Sequence, residues 1–347
     1  MVRVRPFDRL TALSNVEGQA HRTLSPSRGK VQRAGREPVK GLLVHLGMNM
    51  WWDRDVPGAA SRSEYKSVRP YLRFDTKVWN ELVRQMAEAG LNMLVIDLGE
   101  GVKYESHPEL AVRGSWTTKR LKGEVGKLRK LGLEPIPKLN FSACHDAWLG
   151  PYARMVSTDT YYGVCRDLIA EVIDLFDGPR FFHLGMDEET CQHQRQYEYV
   201  VVRQYDLWWK DLLFLVEQVE KGGSRAWVWS DYVWHHPDEF FRKMPRSVLQ
   251  SNWYYGASFS RKEFRVQAYQ ELEKHRYDQV PTASNWASDV NFERTVRFCS
   301  RHISPGRLLG FLQTTWQATV KASQAIHLEA IDQAGRALAK WEASRRR

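Results

Sequence analysis

From residue 41 onward, short apolar runs rich in β-branched and aromatic residues alternate with longer stretches whose apolar positions recur every three to four residues. The runs are 42–50 (LLVHLGMNM), 92–98 (NMLVIDL), 134–141 (EPIPKLNF), 180–187 (RFFHLGMD), 225–231 (RAWVWSD), 247–254 (SVLQSNWY), 280–286 (VPTASNW) and 308–316 (LLGFLQTTW). The longer stretches, predicted as helices, are 76–89, 117–131, 160–176, 197–221, 260–275, 292–302 and 319–344. Gly90 and Gly132 stand where the first two should stop. The interval between the fifth and sixth runs leaves room only for a small helix near 237–243. Strand followed by helix, eight times over about 280 residues, predicts a single (β/α)8 TIM barrel. An open doubly wound sheet shows the same alternation. Eight units, with no Gly-rich phosphate fingerprint after the first run, favour the barrel.

A barrel of this kind places its chemistry at the C-terminal ends of its strands. Here those ends carry Asn49, Asp97, Asn140, Asp187, Asp231, Asn252, Asn285 and Gln313. Polar groups inside a barrel are costly unless paired or used, so a polar residue at nearly every strand end predicts a polar pocket. Side chains on a strand alternate with period two, which puts Trp227, Trp229 and Asp231 on one face.

Composition adds two facts. The chain of 347 residues holds 14 Trp, an aromatic suited to stacking on flat ligands. Its formal net charge is +10, and the excess sits at the ends. Residues 1–40 carry nine Lys/Arg against three acids, and the chain finishes Arg345-Arg346-Arg347. These segments read as a basic, mobile arm (1–40) and a basic tail (345–347) around a barrel at 41–344. They do not read as a nucleic-acid groove, which needs its charges on a folded face. No apolar run approaches the roughly 20 residues that span a bilayer, and residues 1–40 hold no apolar signal-peptide core. The expectation is a cytoplasmic protein if Met1 is the natural start, with export open if it is not. Cys144, Cys165, Cys191 and Cys299 form no CxxC pair and no disulfide framework.

The densest chemical signal is His183-Leu184-Gly185-Met186-Asp187-Glu188-Glu189, at the end of the fourth run. Adjacent acids at a rim can divide labour, one ionised and orienting, the other donating a proton. Strict alternation would point Asp187 and Glu188 to opposite faces, so the chain must leave strand geometry there if both are to reach the pocket. An isolated acidic triplet also suits a helix N-terminus.

The segment His183-x-Gly-x-Asp187-Glu188 resembles the His-x-Gly-Gly-Asp-Glu motif at the end of the fourth strand of family 20 glycoside hydrolases, the β-N-acetylhexosaminidase-like barrels. Three further segments are similar to that family in the same order. They are Glu88-Ala89-Gly90-Leu91-Asn92 at the second strand, Pro135 to His145 with Trp148 at the third, and the final strand ending in Trp316. The resemblance implies retaining hydrolysis without an enzyme nucleophile, in which the substrate's own 2-acetamido group attacks the anomeric carbon. It implies Glu188 as the general acid/base, Asp187 as the carboxylate that orients the acetamido group, His145 as a supporting pocket residue and Trp316 as a wall of the sugar site. Asn140, Trp229, Asp231, Trp253 and Trp286 complete the expected sugar contacts. The chain departs from the family pattern in several places. Met186 replaces the second glycine, Asn140 the third-strand Asp, and Ala143-Cys144 the Pro-Gly. The family's first-strand Arg and seventh-strand Tyr have no match in 47–53 or 283–289.

Other constellations carry less. The first run reads His45-Leu46-Gly47 rather than His-x-His, and no HExxH occurs, so neither a metal nor any other cofactor is expected. Trp51-Trp52 can flank a sugar, whereas Trp208-Trp209 lies in a helical stretch and reads as packing. The predicted activity is removal of a terminal sugar from a carbohydrate substrate, and the resemblance implies that the sugar is a β-linked N-acetylhexosamine. The alternatives are a two-carboxylate glycosidase using Glu188 and Asp231, separable by carboxyl spacing, and a non-catalytic carbohydrate-binding barrel.

Overall fold

A computed structural model describes residues 37–56 and 65–345. Eight strands carry the architecture: β1 (Val39–His45), β2 (Met93–Asp97), β3 (Glu134–Lys138), β4 (Phe181–His183), β5 (Arg225–Trp229), β6 (Leu249–Ser251), β7 (Thr282–Ser284) and β8 (Gly310–Thr314). They pair in parallel in the order β6-β5-β4-β3-β2-β1-β8-β7. Parallel bridges from Gln250 to Gln279 and from Trp253 to Thr282 join the two edges. The sheet is a closed (β/α)8 barrel, as the alternation predicts.

Period-two alternation builds two cores. On β1, Leu43 faces the barrel interior while Leu42 and Val44 face the helices. On β2, Met93 and Val95 point in, and Leu94 and Ile96 point out. Ile136, Phe181, Trp227, Leu249 and Leu312 complete the interior layer. Two residues further along the strands, the interior turns polar with His45, Asp97, Lys138 and His183, all buried. Burial disfavours the Asp97 carboxylate, yet Lys138 Nζ at 2.5 Å and His45 Nδ1 at 3.3 Å hold its pKa down to about 2. This paired layer is the floor on which the mouth of the barrel rests.

The helices are α1 (Thr76–Glu88), α2 (Thr118–Lys130), α3 (Asp159–Leu175), α4 (Asp206–Lys221), α5 (Pro237–Lys243), α6 (Phe264–Lys274), α7 (Asn291–His302) and α8 (Gln324–Arg345). Asp75, Thr117 and Thr158 cap the first three by accepting first-turn N–H groups. Gly90 and Gly132 end the first two with φ of 75° and 77°, where a side chain would be strained. The fourth helix corrects the expected start at 197. Residues 190–205 run as loop over the barrel mouth, tied down by the Tyr197 hydroxyl donating to Cys144 O (2.6 Å), and α4 begins only at Asp206. The strands are shorter than the apolar runs because the chain turns away at each C-terminal end to build the mouth.

The arm expected at 1–40 lies outside the described residues except for 37–40, and β1 already begins at Val39. Of the tail, only Arg345 is described, as the last residue of α8. Among the described residues, no helix is long and apolar enough to cross a membrane.

Candidate active site

The three acids after β4 separate because the backbone leaves strand geometry. Gly185, Met186 and Glu188 all have positive φ (71°, 73° and 56°). Non-glycine residues rarely take this conformation unless their surroundings over-determine it. The neighbouring β3 loop does so. Asn140 Oδ1 accepts the Met186 N–H at 3.2 Å and the Ser142 N–H at 3.0 Å, and Asn140 Nδ2 donates to Asp187 Oδ1 at 2.9 Å. Ser142 Oγ donates to Asp187 O at 2.5 Å. A Cβ at position 185 would collide with the Asn140 amide, so only glycine allows this approach.

Each acid then meets a different partner. Asp187 is buried, with Oδ2 3.4 Å from His145 Nε2. Burial opposes its ionisation, but His145, Lys138 and the Asn140 amide hold it well below the usual carboxylate range. Glu188 reaches into an open cavity, its oxygens 3.5 Å from His145 Nε2 and 3.5 Å from His193 Nε2. Glu189 turns away to a buried ion pair. Arg203 Nη2 lies 2.6 Å from its Oε2, and Arg203 also reaches Asp211 at 3.0 Å. Asp231 Oδ2 accepts the Glu188 N–H at 2.9 Å, and burial together with the Asp187 charge pushes the Asp231 carboxyl up to about 8.

The cavity encloses about 660 Å³ at the C-terminal mouth. Asp187, Glu188 and His145 form one side, and Trp51, Trp253, Trp286 and Trp316 supply indole wall. His145, Asp187 and Glu188 each present one possible metal-ligating atom, all within 4.8 Å of one another. The imidazole nitrogen among them is the one that faces both carboxylates. Burial disfavours its charge, but the two acids raise the His145 pKa to about 10, so the imidazole is protonated at neutral pH.

That proton carries a stability consequence. The folded pKa of His145 lies above the unfolded value near 6.5. Its stabilising contribution is therefore full below pH 6.5 and is lost as pH rises through about 10. Urea denaturation across this window should show a shallower decline for His145→Asn than for the unaltered protein. Parallel curves would remove the imidazolium from the site.

No protein-family model and no curated protein matches the sequence. Solved structures do match. A β-N-acetylhexosaminidase from Bacteroides fragilis superposes with a TM-score of 0.59 at 14% identity, over 88% of this chain and 70% of that one. The family 20 β-N-acetylhexosaminidase from Streptomyces coelicolor gives 0.58 at 14% identity, over 85% and 64%. Dispersin B gives 0.51 at 14% identity, over 76% and 95%. The barrel has the family 20 glycoside hydrolase fold. The chain spans 64% of the Streptomyces enzyme and 56% of an exo-β-N-acetylglucosaminidase from Vibrio harveyi, which it matches at 11% identity.

Within this family 20 fold, the residues singled out from the sequence take distinct places. Asp187, Glu188, His145, Trp253, Trp286 and Trp316 line the cavity. Asn140 lies behind Asp187 as its hydrogen-bond donor, fully enclosed. Trp229, expected at the sugar, is instead buried in the barrel interior, 4.3 Å from the His183 ring and 5.8 Å from Trp316. Asp231 lies beside Glu188, whose N–H it accepts, and lines a second, smaller cavity that shares Glu188, His193, Trp253 and Arg265 with the first. Of the eight polar strand-end residues, only Asp187 lines the large cavity. Asn49, for example, spends its side chain on Arg69 and Arg73. Sequence reasoning passed over Tyr255, His193 and Lys66, which also line it. Tyr255 follows Trp253 directly beyond the sixth run, and that aromatic cluster was its one visible signal.

Proposed function

We propose that this protein is a retaining glycoside hydrolase that removes a terminal 2-acetamido sugar. The observation that carries the reading is the paired setting of two acids, Asp187 enclosed with its Oδ2 3.4 Å from His145 Nε2, and Glu188 projecting into the cavity. In this scheme Asp187 accepts the acetamido N–H and orients the group so that its carbonyl oxygen attacks the anomeric carbon from the face opposite the leaving group. As the glycosidic C–O bond breaks, Glu188 gives its proton to the departing oxygen. Glu188 then takes a proton from water, whose oxygen opens the oxazolinium ring and restores both the acetamido group and the original configuration. The positive His145 balances the neighbouring carboxylates, and the indoles of Trp253, Trp286 and Trp316 offer apolar faces to the ring. Tyr255 contributes a neutral hydroxyl, since burial raises its pKa well above the ordinary value.

The two-carboxylate alternative fits less well. A buried Asp231 whose pKa is near 8 is protonated at neutral pH, and one of its oxygens is already engaged by the Glu188 N–H. A neutral carboxyl is a poor nucleophile.

The test is a panel of aryl β-glycosides. The 2-acetamido substrate should be turned over, its 2-hydroxy counterpart should be slower by at least a hundredfold, and a thiazoline analogue of the cyclised intermediate should inhibit. Equal rates on the two glycosides would end the acetamido mechanism. Sugar binding without turnover across the panel would make the barrel a binding module.

A further inference from the structure

Period-two alternation carries an ion pair into the barrel interior. Lys138 follows Ile136 on the inward face of β3. The ladder to β4 continues beyond it, with the Leu139 N–H donating to His183 O and the Phe141 N–H to Leu184 O, both at 3.0 Å. The next inward residue is therefore Asn140, the donor to Asp187. Lys138 stands in register with Asp97 on β2 and His183 on β4, and Asp97 in register with His45 on β1. All four are buried, Lys138 and His183 completely. We propose that the ammonium of Lys138, anchored by Asp97, supplies the positive field on which the β4 turn works, acting through His183 and Asp187 without touching the substrate. The inference rests on the hydrolase reading above and deepens it by naming a residue that positions its acids.

The pair is a dipole lying across the barrel. Its anion is on β2, with His45 Nδ1 at 3.3 Å, and its cation is on β3, one strand from the turn. Coulombic interaction weakens with distance, so the turn meets the positive end and the two charges do not cancel there. Stability gives the pair no other reason to be present. A buried ion pair generally gains little over apolar side chains of similar size, and the layer beneath, with Val95, Ile136 and Phe181, is apolar.

Both ends of the turn depend on charge state. At its start, His183 Nδ1 accepts the Gly185 N–H at 3.0 Å. Accepting needs a lone pair, which a protonated ring lacks. Burial, reinforced by the Lys138 charge, holds the His183 pKa well below its ordinary value. At its end, Asp187 works as a carboxylate. Burial opposes that charge, and His145 first, then Lys138, favour it. The other groups facing Asp187 are Glu188 from its own turn and Asp231 from beyond β5, and neither supplies positive charge.

The test labels aspartate with 13C at Cγ and follows the Asp187 resonance, identified by its loss in Asp187→Asn, as pH is lowered. Two double variants are compared with the unaltered protein. Lys138→Met with Asp97→Leu removes the dipole and leaves neither charge unpaired. Lys138→Asp with Asp97→Lys reverses it. The Asp187 midpoint should rise by about one pH unit in the first and by about two in the second. The acidic limb of kcat/KM should move up in step, since activity is lost as pH falls through that midpoint. A cation that only fills the core would change the denaturation midpoint and leave both pH readouts where they were. Unmoved Asp187 midpoints would therefore overturn the proposal, and the apolar pair decides alone if the reversed pair does not fold. A risen midpoint in a protein that turns over no glycoside, or whose limb stays fixed, would uphold the field of Lys138 and count against the hydrolase reading instead.

Discussion

Glu188→Gln should lower kcat/KM for an alkyl glycoside by two to four orders of magnitude, the range for removing a positioned general acid. The amide keeps the size and shape of the carboxyl but has no proton of useful acidity. The replacement should not disturb the fold. The Glu188 carboxyl is partly exposed, and its close ionic neighbours are His145 and His193 at 3.5 Å each. The backbone contact that shapes the turn, Glu188 N–H to Asp231, is independent of the side chain. Leaving-group dependence makes the result specific. A 2,4-dinitrophenyl aglycone departs without protonation, so its cleavage should lose far less than the alkyl glycoside's. Equal losses on both would place Glu188 in a structural role, and full activity on the alkyl glycoside would remove it from the chemistry.

The largest stability effect is expected at Arg203. Its guanidinium, 1% exposed, holds Glu189 through Nε (2.8 Å) and Nη2 (2.6 Å), reaches Asp211 through Nη1, and donates to Phe141 O at 2.8 Å. Glu189 and Asp211 are themselves 4% and 0% exposed. Arg203→Leu leaves two carboxylates enclosed without their cation, and breaking a buried pair in this way typically costs about 3–5 kcal/mol. Asp211 retains Ser157 and Tyr162 as donors, so most of the loss falls on Glu189. Glu189 also accepts the Ala143 N–H, which ties the β3 loop to the β4 turn, so the variant should lose activity along with stability. Arg203→Lys keeps the charge but not the fork and should fall between the two. Urea midpoints at constant slope measure the series. A loss below about 1 kcal/mol for Arg203→Leu would mean that water reaches the two acids when the arginine is gone.

Glu189 illustrates where reading the sequence stops. In one dimension it is the third member of an acidic triplet with nothing to distinguish it from its neighbours. Its partner lies 14 residues on, in a loop that the apolar periodicity assigns to helix, because Tyr197, Val200 and Val201 mimic a helical face. Trp229 shows the converse. Its inward direction follows from alternation, but alternation cannot say whether an inward residue lies in the packed interior or at the open mouth. That depends on how far each strand continues before its neighbours turn away. The acids of the β4 turn were legible as a pair because they stand in His183-x-Gly-x-Asp187-Glu188, which resembles the family 20 motif; alone, an acidic triplet also suits a helix N-terminus. Tyr255 and His193 were not, since each lies on a loop whose path no local period encodes.

Sequence alone determined the eightfold alternation, hence the closed parallel barrel, and the segment at the end of the fourth strand where charge concentrates. Both are local properties: the period of apolar side chains and the clustering of like residues survive in a linear string. Tertiary structure decided which acid is enclosed, which is presented to the cavity and which is bound to arginine. That division depends on Asn140, His145, Arg203 and Asp231, which chain closure brings against one turn from up to 47 positions away. Burial and charge pairing are properties of that convergence, and no period in the chain records them.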